Sequence, residues 1–304
     1  MASKDIDKEE YKKHKGDIMV KANFAGSFYA KTEAELDKQI TECYNDKNGP
    51  GDLPLSKRTG RIQAIISPHA GYQFSGPCAA WAYKEIAESE FAELYIILGT
   101  NHHSKGNFIS LEGIETPYGL ARVDKDFAKS LLEKNNEIKV DEAVFTQEHS
   151  IEVQIPFLQF ATKDKMHELK ILPIIVNEID YNKLALDLKE TILESEKHIV
   201  IIASSDFTHY GHMYHHIPFS TDIKKNIYEQ DQNAINFIEK LDADGFLGYV
   251  DENMMTICGA MPIAVLLKTL KKSKVELLHY YTSADLEEEQ TYKNSVSYAA
   301  IIMR

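Results

Sequence analysis

Histidine residues follow the ends of three predicted strands. They are His69 after residues 62–67, His102 after residues 94–99, and His209 after residues 198–204. In α/β sheets, ligands bind beyond the carboxyl ends of the strands, because loop side chains and helix amino termini converge there. A neutral imidazole is a common metal ligand and can also carry a proton near neutral pH. The spacing therefore indicates a shared metal or catalytic site at one edge of a sheet.

A fourth histidine and one cysteine stand at the starts of predicted helices. His149 opens the helix that continues as VQIPFLQF, and Cys258 opens an apolar helix within TICGAMPI. Exposed backbone N–H groups and the helix dipole favour a thiolate at such a position. A thiolate with two imidazoles would form a three-ligand site with an open coordination position, which suits copper, zinc or iron. A nucleophilic Cys/His pair is an alternative that spacing alone does not decide.

Other residues that could do chemistry have simple structural explanations as well. Glu152 lies three residues after His149 on one helical face, a spacing found in metal carboxylate sites and in capping interactions. Asp206 could accept a hydrogen bond from a neighbouring imidazole or cap the following turn. We expect Cys43 and Cys78 to be core residues, because free cysteine is among the most buried residue types.

The hydrophobic pattern predicts the elements that position these residues. Short β-branched runs alternate with longer amphipathic stretches, which is typical of a layered α/β fold. The strands are predicted at residues 62–67, 94–99, 107–111, 169–176, 198–204, 275–281 and 296–303. The helices are predicted at residues 33–46, 76–88, 124–134, 151–161, 181–195, 221–240 and 258–271. Because the strands are continuous apolar runs, we expect helices on both faces of the sheet.

The chain divides into a charged amino-terminal segment and one long folded region. Residues 1–19 alternate lysine with acidic residues and have almost nothing to bury, so we expect a mobile tail there. Residues 45–60 are rich in Gly, Pro, Asn and Asp, which is typical of a surface loop. No repeat or change in composition divides the remainder, which predicts a single domain over residues 20–304.

Composition limits the classes of partner. The chain has 304 residues, with 34 Lys and Arg against 47 Asp and Glu, so its formal charge is −13. A negative mean field disfavours nucleic acid and anionic membranes, and no basic cluster is visible along the chain. The three cysteines cannot all pair, and no apolar run approaches the ~20 residues of a membrane span. We therefore expect a cytoplasmic protein that binds neither nucleic acid nor membrane.

Eight segments, taken in order, resemble the signature blocks of the Memo protein family. They are AGSFY (25–29), PHAGYQFSG (68–76), LGTNHH (98–103), TPYGLARVD (116–124), EHSIEVQIPFLQ (148–159), SSDFTHYG (204–211), TICGAMPI (256–263) and SVSYAA (295–300). The family is similar in fold to the class III extradiol dioxygenases, non-haem iron enzymes that cleave catechol rings. The resemblance implies a single-domain αβα layered fold with a central mixed sheet and a site at a strand edge.

The resemblance also implies roles for individual residues. His69, His102 and Cys258 match the family positions that coordinate iron or copper. His209 matches a position similar to the acid/base histidine of the dioxygenases, and His149 lies at the same pocket. The ring-cleaving enzymes use two histidines and a carboxylate, so a cysteine as third ligand departs from their pattern. A thiolate is softer and more easily oxidised, which argues against ring cleavage.

Three functions stay open from the sequence. The first is a metal-dependent redox enzyme of dioxygenase-like fold, in which dioxygen or a small-molecule substrate takes the open position and His209 moves a proton. The alternative is a non-enzymatic protein that handles metal or binds a peptide or partner protein. Family members occur beside radical-SAM and AMMECR1-type proteins, which are candidate partners. The third is metal-assisted hydrolysis by a zinc-bound water, with Glu148 or Glu152 as general base.

Overall fold

A computed structural model of the chain describes residues 19–55, 58–177, 180–270, 272–287 and 291–304. The predicted tail at residues 1–19 lies outside these residues except for Met19, which begins the first strand. The strands are β1 (Met19–Val20), β2 (Ala64–Ser67), β3 (Leu94–Gly99), β4 (Asn107–Ile109), β5 (Gly113–Thr116), β6 (Gly119–Val123), β7 (Ile138–Val140), β8 (Lys170–Ile175), β9 (Ile199–Ser204), β10 (His209–Gly211), β11 (Val275–Thr282) and β12 (Asn294–Met303).

Ten α-helices lie between these strands in the described part of the chain. They are α1 (Glu33–Asn45), α2 (Tyr72–Glu88), α3 (Lys125–Lys134), α4 (Glu142–Phe145), α5 (His149–Glu152), α6 (Gln154–Ala161), α7 (Tyr181–Ser195), α8 (Ile223–Glu239), α9 (Ala243–Glu252) and α10 (Ala260–Thr269). Side chains that accept hydrogen bonds from first-turn N–H groups start several of them. Thr32 does this for α1, Asp124 for α3 and Asp180 for α7.

The strands form one mixed sheet, as predicted. Its order is β1-β5-β6-β8-β3-β9-β2-β12-β10, with β11 paired to β12 and β4 paired to β7 and β8. The central run β6-β8-β3-β9-β2 is parallel, whereas β12 runs antiparallel to β2. Ser67 pairs with Ser204, and Leu98 pairs with Ala203. The carboxyl ends of β2, β3 and β9 therefore lie side by side. The predicted site residues His69, His102 and His209 follow these strand ends.

Burial shows that the sheet is covered on both faces. Every residue of β2, β3 and β9 is buried. Successive side chains of a strand point to opposite faces, so complete burial requires a packed layer on each side. Helix α2 packs against β2, β11 and β12, and α10 packs against β3 and β9. The predicted α/β layering, with helices around a central mixed sheet, is confirmed.

The predicted elements match the structure more closely in type than in boundary. The helix predicted at 76–88 begins at Tyr72, and the one predicted at 151–161 is two helices that meet at Val153. The helix predicted at 258–271 begins at Ala260, so Cys258 precedes it; residue 271 lies outside the described residues. Strands β1, β5, β6, β7 and β10 were not predicted, because two to five residues give too short a run to show a period.

Helices α4 and α9 were not predicted either. Helix α4 has only four residues, and α9 contains Gly245 and Gly248, which lower its helix propensity. In the described part of the chain, no helix combines the length and apolar character needed to cross a membrane.

Candidate functional site

Three of the predicted site residues meet beyond the carboxyl ends of β2, β3 and β9. The rings of His69 and His102 lie 5.3 Å apart and nearly perpendicular, at 85°. Cys258 Sγ lies 3.1 Å from His69 Nε2. Candidate donor atoms of His69, His102 and Cys258 all lie within 4.8 Å of one another. The structure therefore brings together the three residues that the sequence indicated as metal ligands.

A serine hydroxyl fixes which ring nitrogen of His69 carries the proton. Ser204 Oγ donates its hydrogen to the Ser150 carbonyl at 2.5 Å and accepts a hydrogen bond from Gln154 Nε2 at 2.8 Å. His69 Nδ1 lies 2.9 Å from the same oxygen. Because the only hydrogen of the hydroxyl is already used, His69 Nδ1 must be the donor. Its Nε2 therefore carries a lone pair and faces Cys258.

A buried carboxylate fixes the proton of His102 in the same way. Glu148 is 1 % exposed, and its oxygens lie 3.0 and 3.1 Å from His102 Nδ1. They also accept the backbone N–H groups of His102 at 2.7 Å and Ser150 at 2.8 Å. Burial would raise the pKa of Glu148, but these hydrogen bonds and the charge of His102 outweigh it and lower the pKa to about 2. The ionised carboxylate holds the proton on Nδ1 and leaves Nε2 of His102 as the ring nitrogen that could ligate a metal.

Close backbone contacts bring the remaining elements into the site. A Cβ on Gly99 would lie 2.5 Å from Ile151 Cγ1, so glycine at the end of β3 allows α5 to approach. A Cβ on Gly259 would lie 2.4 Å from Ser205 Cβ, and the Gly259 N–H donates to Ser205 Oγ at 3.0 Å. Any larger residue at 259 would push Cys258 away from the end of β9.

The thiolate expected for Cys258 is not what the metal-free site favours. Burial, and then the charge of Asp206, raise the pKa of the Cys258 thiol above its ordinary value. Helix α10 begins two residues later than the cysteine, so the helix terminus does not compensate. Asp206 itself accepts the backbone N–H of His69 at 2.8 Å, and so orients the loop rather than an imidazole. The metal-free protein therefore keeps a protonated thiol at neutral pH.

His149 forms one wall of the site. Its ring stacks on His102 at 4.7 Å and lies 4.5 Å from the ring of Phe28. Burial, and then the charge of His69, lower the pKa of His149 to about 3, so it is neutral at physiological pH. Donor atoms of His149, His102 and Glu148 form a second close group, within 4.8 Å. In that group the Glu148 oxygens already hold the proton of His102, so the carboxylate orients one residue of the first group.

His209 lies apart from the clustered donor atoms. It begins β10, and neither close group among the described residues includes it. Its Nδ1 lies 2.9 Å from the Phe207 carbonyl and 3.0 Å from the Thr256 carbonyl. Carbonyl oxygens only accept, so Nδ1 carries the proton and Nε2 is the unprotonated atom of the neutral ring. Protonation of His209 would lower the pKa values of Asp206 and His69, which shows that its charge reaches the site.

The structure gives Glu152 a structural position and removes it from the catalytic candidates. Its carboxylate accepts the N–H groups of Asn23 at 3.0 Å and Phe24 at 2.8 Å, and the hydroxyl of Tyr29 at 2.6 Å. These contacts hold the segment that carries Phe28 against His149. Glu148 is likewise occupied by His102. Neither carboxylate is free to act as the general base that the hydrolytic hypothesis needs.

Sequence reasoning missed three residues that orient the site. Two of them are Ser204 and Gln154, which set the proton of His69. For Glu148, the sequence predicts a general base and not the contact with His102. Thr256 holds His209 on both sides, because its Oγ1 accepts from the His209 N–H at 2.8 Å and donates to the His209 carbonyl at 2.9 Å. Their positions in the sequence could have indicated this role, because Ser204 ends a predicted strand and Glu148 immediately precedes His149.

Replacing Glu152 with alanine should lower the free energy of unfolding by about 3 kcal/mol, because three donors lose a buried acceptor. Tyr29→Phe removes only one of them and should lower it by about 1 kcal/mol. Urea unfolding followed by circular dichroism measures both. A Glu152→Ala protein within about 0.5 kcal/mol of the wild type would contradict this anchoring role.

Comparison with known proteins identifies the family. The Memo-like protein family model matches residues 21–302. MEMO1 family proteins of Methanopyrus kandleri and Nitrosopumilus maritimus are each 36% identical to this chain, over 291 and 285 residues. The alignments cover 92% and 91% of this chain and 97% and 96% of the relatives. A solved structure of an uncharacterized Escherichia coli K12 protein has a TM-score of 0.49 at 14% identity, covering 80% of this chain and 100% of that chain. On the family match and the curated relatives, the chain belongs to the Memo-like protein family.

Proposed function

We propose that this protein binds one iron or copper ion through Nε2 of His69, Nε2 of His102 and Sγ of Cys258. The observation that carries the proposal is the meeting of three donor residues within 4.8 Å, with the Nδ1 atoms of both histidines already committed to hydrogen bonds. Two imidazoles and a thiolate form a soft to borderline donor set. Zinc fits the same donors, but iron and copper also bring redox chemistry.

Charge balance supports a metal ion at this position. A bound metal displaces the proton of the Cys258 thiol, so the ligand set then carries one negative charge. The ionised Glu148 beside His102 supplies a second negative charge. Together they match a divalent cation, which reduces the free-energy penalty of placing charge in a largely buried site. Ligation would require both imidazoles to be neutral.

We further propose that the bound metal serves a redox reaction. Iron or copper would supply electron transfer and an open coordination position for dioxygen or a small substrate. In the protein itself, His209 holds a proton on Nδ1 and keeps Nε2 available to accept another. The rings of His149 and Phe28 screen one side of the site from water.

Metal handling without catalysis is the second candidate. The specific observation in its favour is the cysteine ligand, because a thiolate stands where ring-cleaving enzymes use a carboxylate. Such a protein would hold the metal through the same three atoms, but it would not need the proton-accepting face of His209. Replacement of His209 therefore separates the two functions.

Loss of any of the three ligands should abolish stoichiometric metal binding. Elemental analysis of anaerobically purified protein should give about one iron or copper per chain. His69→Ala, His102→Ala and Cys258→Ser should each bind less than roughly a tenth of that amount, because removing even a supporting residue commonly weakens metal affinity 10- to 100-fold. His103→Ala and Cys78→Ser are matched controls outside the ligand group and should retain the metal. Equal metal content in all five variants would refute the proposed site.

Replacing His209 with glutamine should leave the metal content unchanged and lower turnover about 100-fold or more, because a general acid–base contributes that much to a rate. Oxygen consumption by the iron- or copper-loaded protein, with catechols and small reductants as substrates, measures the turnover. Turnover that is equal in the wild type and His209→Gln would contradict the proton-transfer role. A stoichiometric metal without turnover of any of these substrates would favour metal handling.

A further inference from the structure

A separate cleft of about 450 Å³ lies at the amino-terminal ends of β8 and β9, opposite the strand ends that carry the proposed metal site. Its lining includes Lys170, which begins β8, and Lys197, which lies just before β9. The three-ligand group instead lies beyond the carboxyl end of β9, six residues further along that strand. At about 3.3 Å per strand residue, the two places are roughly 20 Å apart. The cleft is therefore independent of the proposed metal site.

Four cationic side chains line this cleft in a protein whose formal charge is −13. They are Arg122, Lys125, Lys170 and Lys197. Three carboxylates also line it, and two of them are occupied. Lys125 pairs with Glu112 at 3.6 Å, and Lys197 pairs with Asp124. Asp124 also feels the charge of Lys170, so the positive excess of the cleft is one charge, four cations against three carboxylates.

Of the four cations that line the cleft, Arg122 and Lys170 form no ion pair with the described residues. They are direct partners on the parallel strands β6 and β8. Residues in register on neighbouring strands project to the same face, so the two side chains extend from the sheet side by side. Among the described residues, Arg122 Nε also has no hydrogen-bond partner.

We propose that this cleft binds a small phosphorylated molecule, with Arg122 and Lys170 holding the phosphate. A guanidinium matches two phosphate oxygens in a bidentate contact, and an adjacent ammonium adds a second positive charge for a dianion. The volume exceeds what a phosphate needs, and Leu120 and Val123 offer apolar surface for the body of the molecule.

Inorganic phosphate is the deciding probe, because any site built for a phosphate group must bind it. Isothermal titration at low salt should show saturable binding of phosphate with half-saturation below about 10 mM, and tighter binding of pyrophosphate and ADP. Binding should weaken as ionic strength rises. Adenosine should not bind, and succinate should bind at least about 10-fold more weakly than pyrophosphate. Absence of phosphate binding, or equal binding of succinate, would overturn the proposal.

Substitutions of the two cationic residues test whether pyrophosphate binds in the cleft. Arg122→Gln and Lys170→Gln should each weaken pyrophosphate binding about 10-fold or more, since charge-assisted hydrogen bonds are among the stronger polar contacts. Lys139→Gln removes an exposed lysine on β7 and should have no effect. Each variant should keep the thermal midpoint and the metal content of the wild type, which shows that its fold is intact. Unchanged pyrophosphate binding in both cleft variants would reject the assignment.

Discussion

The geometry of the candidate metal site depends on two protons, those on Nδ1 of His69 and His102. Each is held by a buried acceptor, the Ser204 hydroxyl in one case and the Glu148 carboxylate in the other. A buried polar group without a partner costs free energy, so rotating either ring would leave a donor and an acceptor unsatisfied. The two rings are therefore fixed with Nε2 facing the same space. Metal binding would then need little reorganisation beyond loss of the Cys258 proton.

The two acceptors, Ser204 and Glu148, also hold elements of the fold together. Ser204 is the last residue of β9 and pairs with Ser67 of β2, so its position is set by the parallel register. Its hydroxyl also bonds to Ser150 and Gln154, which joins β9 to the helices α5 and α6. Glu148 caps α5 through the Ser150 N–H while it holds His102. Displacement of either helix would therefore disturb both histidines together.

The layered fold and the residues at the strand ends could be predicted from the sequence, because long apolar runs and strand-end histidines are local signals. The positions of the Nδ1 protons of His69 and His102 could not. They depend on hydrogen bonds between residues about fifty or more positions apart, such as Ser204 with Ser150. In the metal-free protein, the thiolate expected at Cys258 is disfavoured, because burial and Asp206 raise its pKa and the helix begins later than predicted. The cleft could not be predicted from the sequence either, because Arg122 and Lys170 become neighbours only when β6 pairs with β8.

The protonated thiol of the metal-free site would give a bound metal ion a second effect, beyond joining His69, His102 and Cys258. In the metal-free protein, the Cys258 proton avoids a second negative charge beside the buried Asp206. A bound cation would remove that penalty, because its charge would offset both the thiolate and the nearby ionised Glu148. Ligation and deprotonation would then occur together, which a neutral ligand could not bring about. The buried carboxylates thus favour a cation over other occupants, although they contribute no ligand of their own.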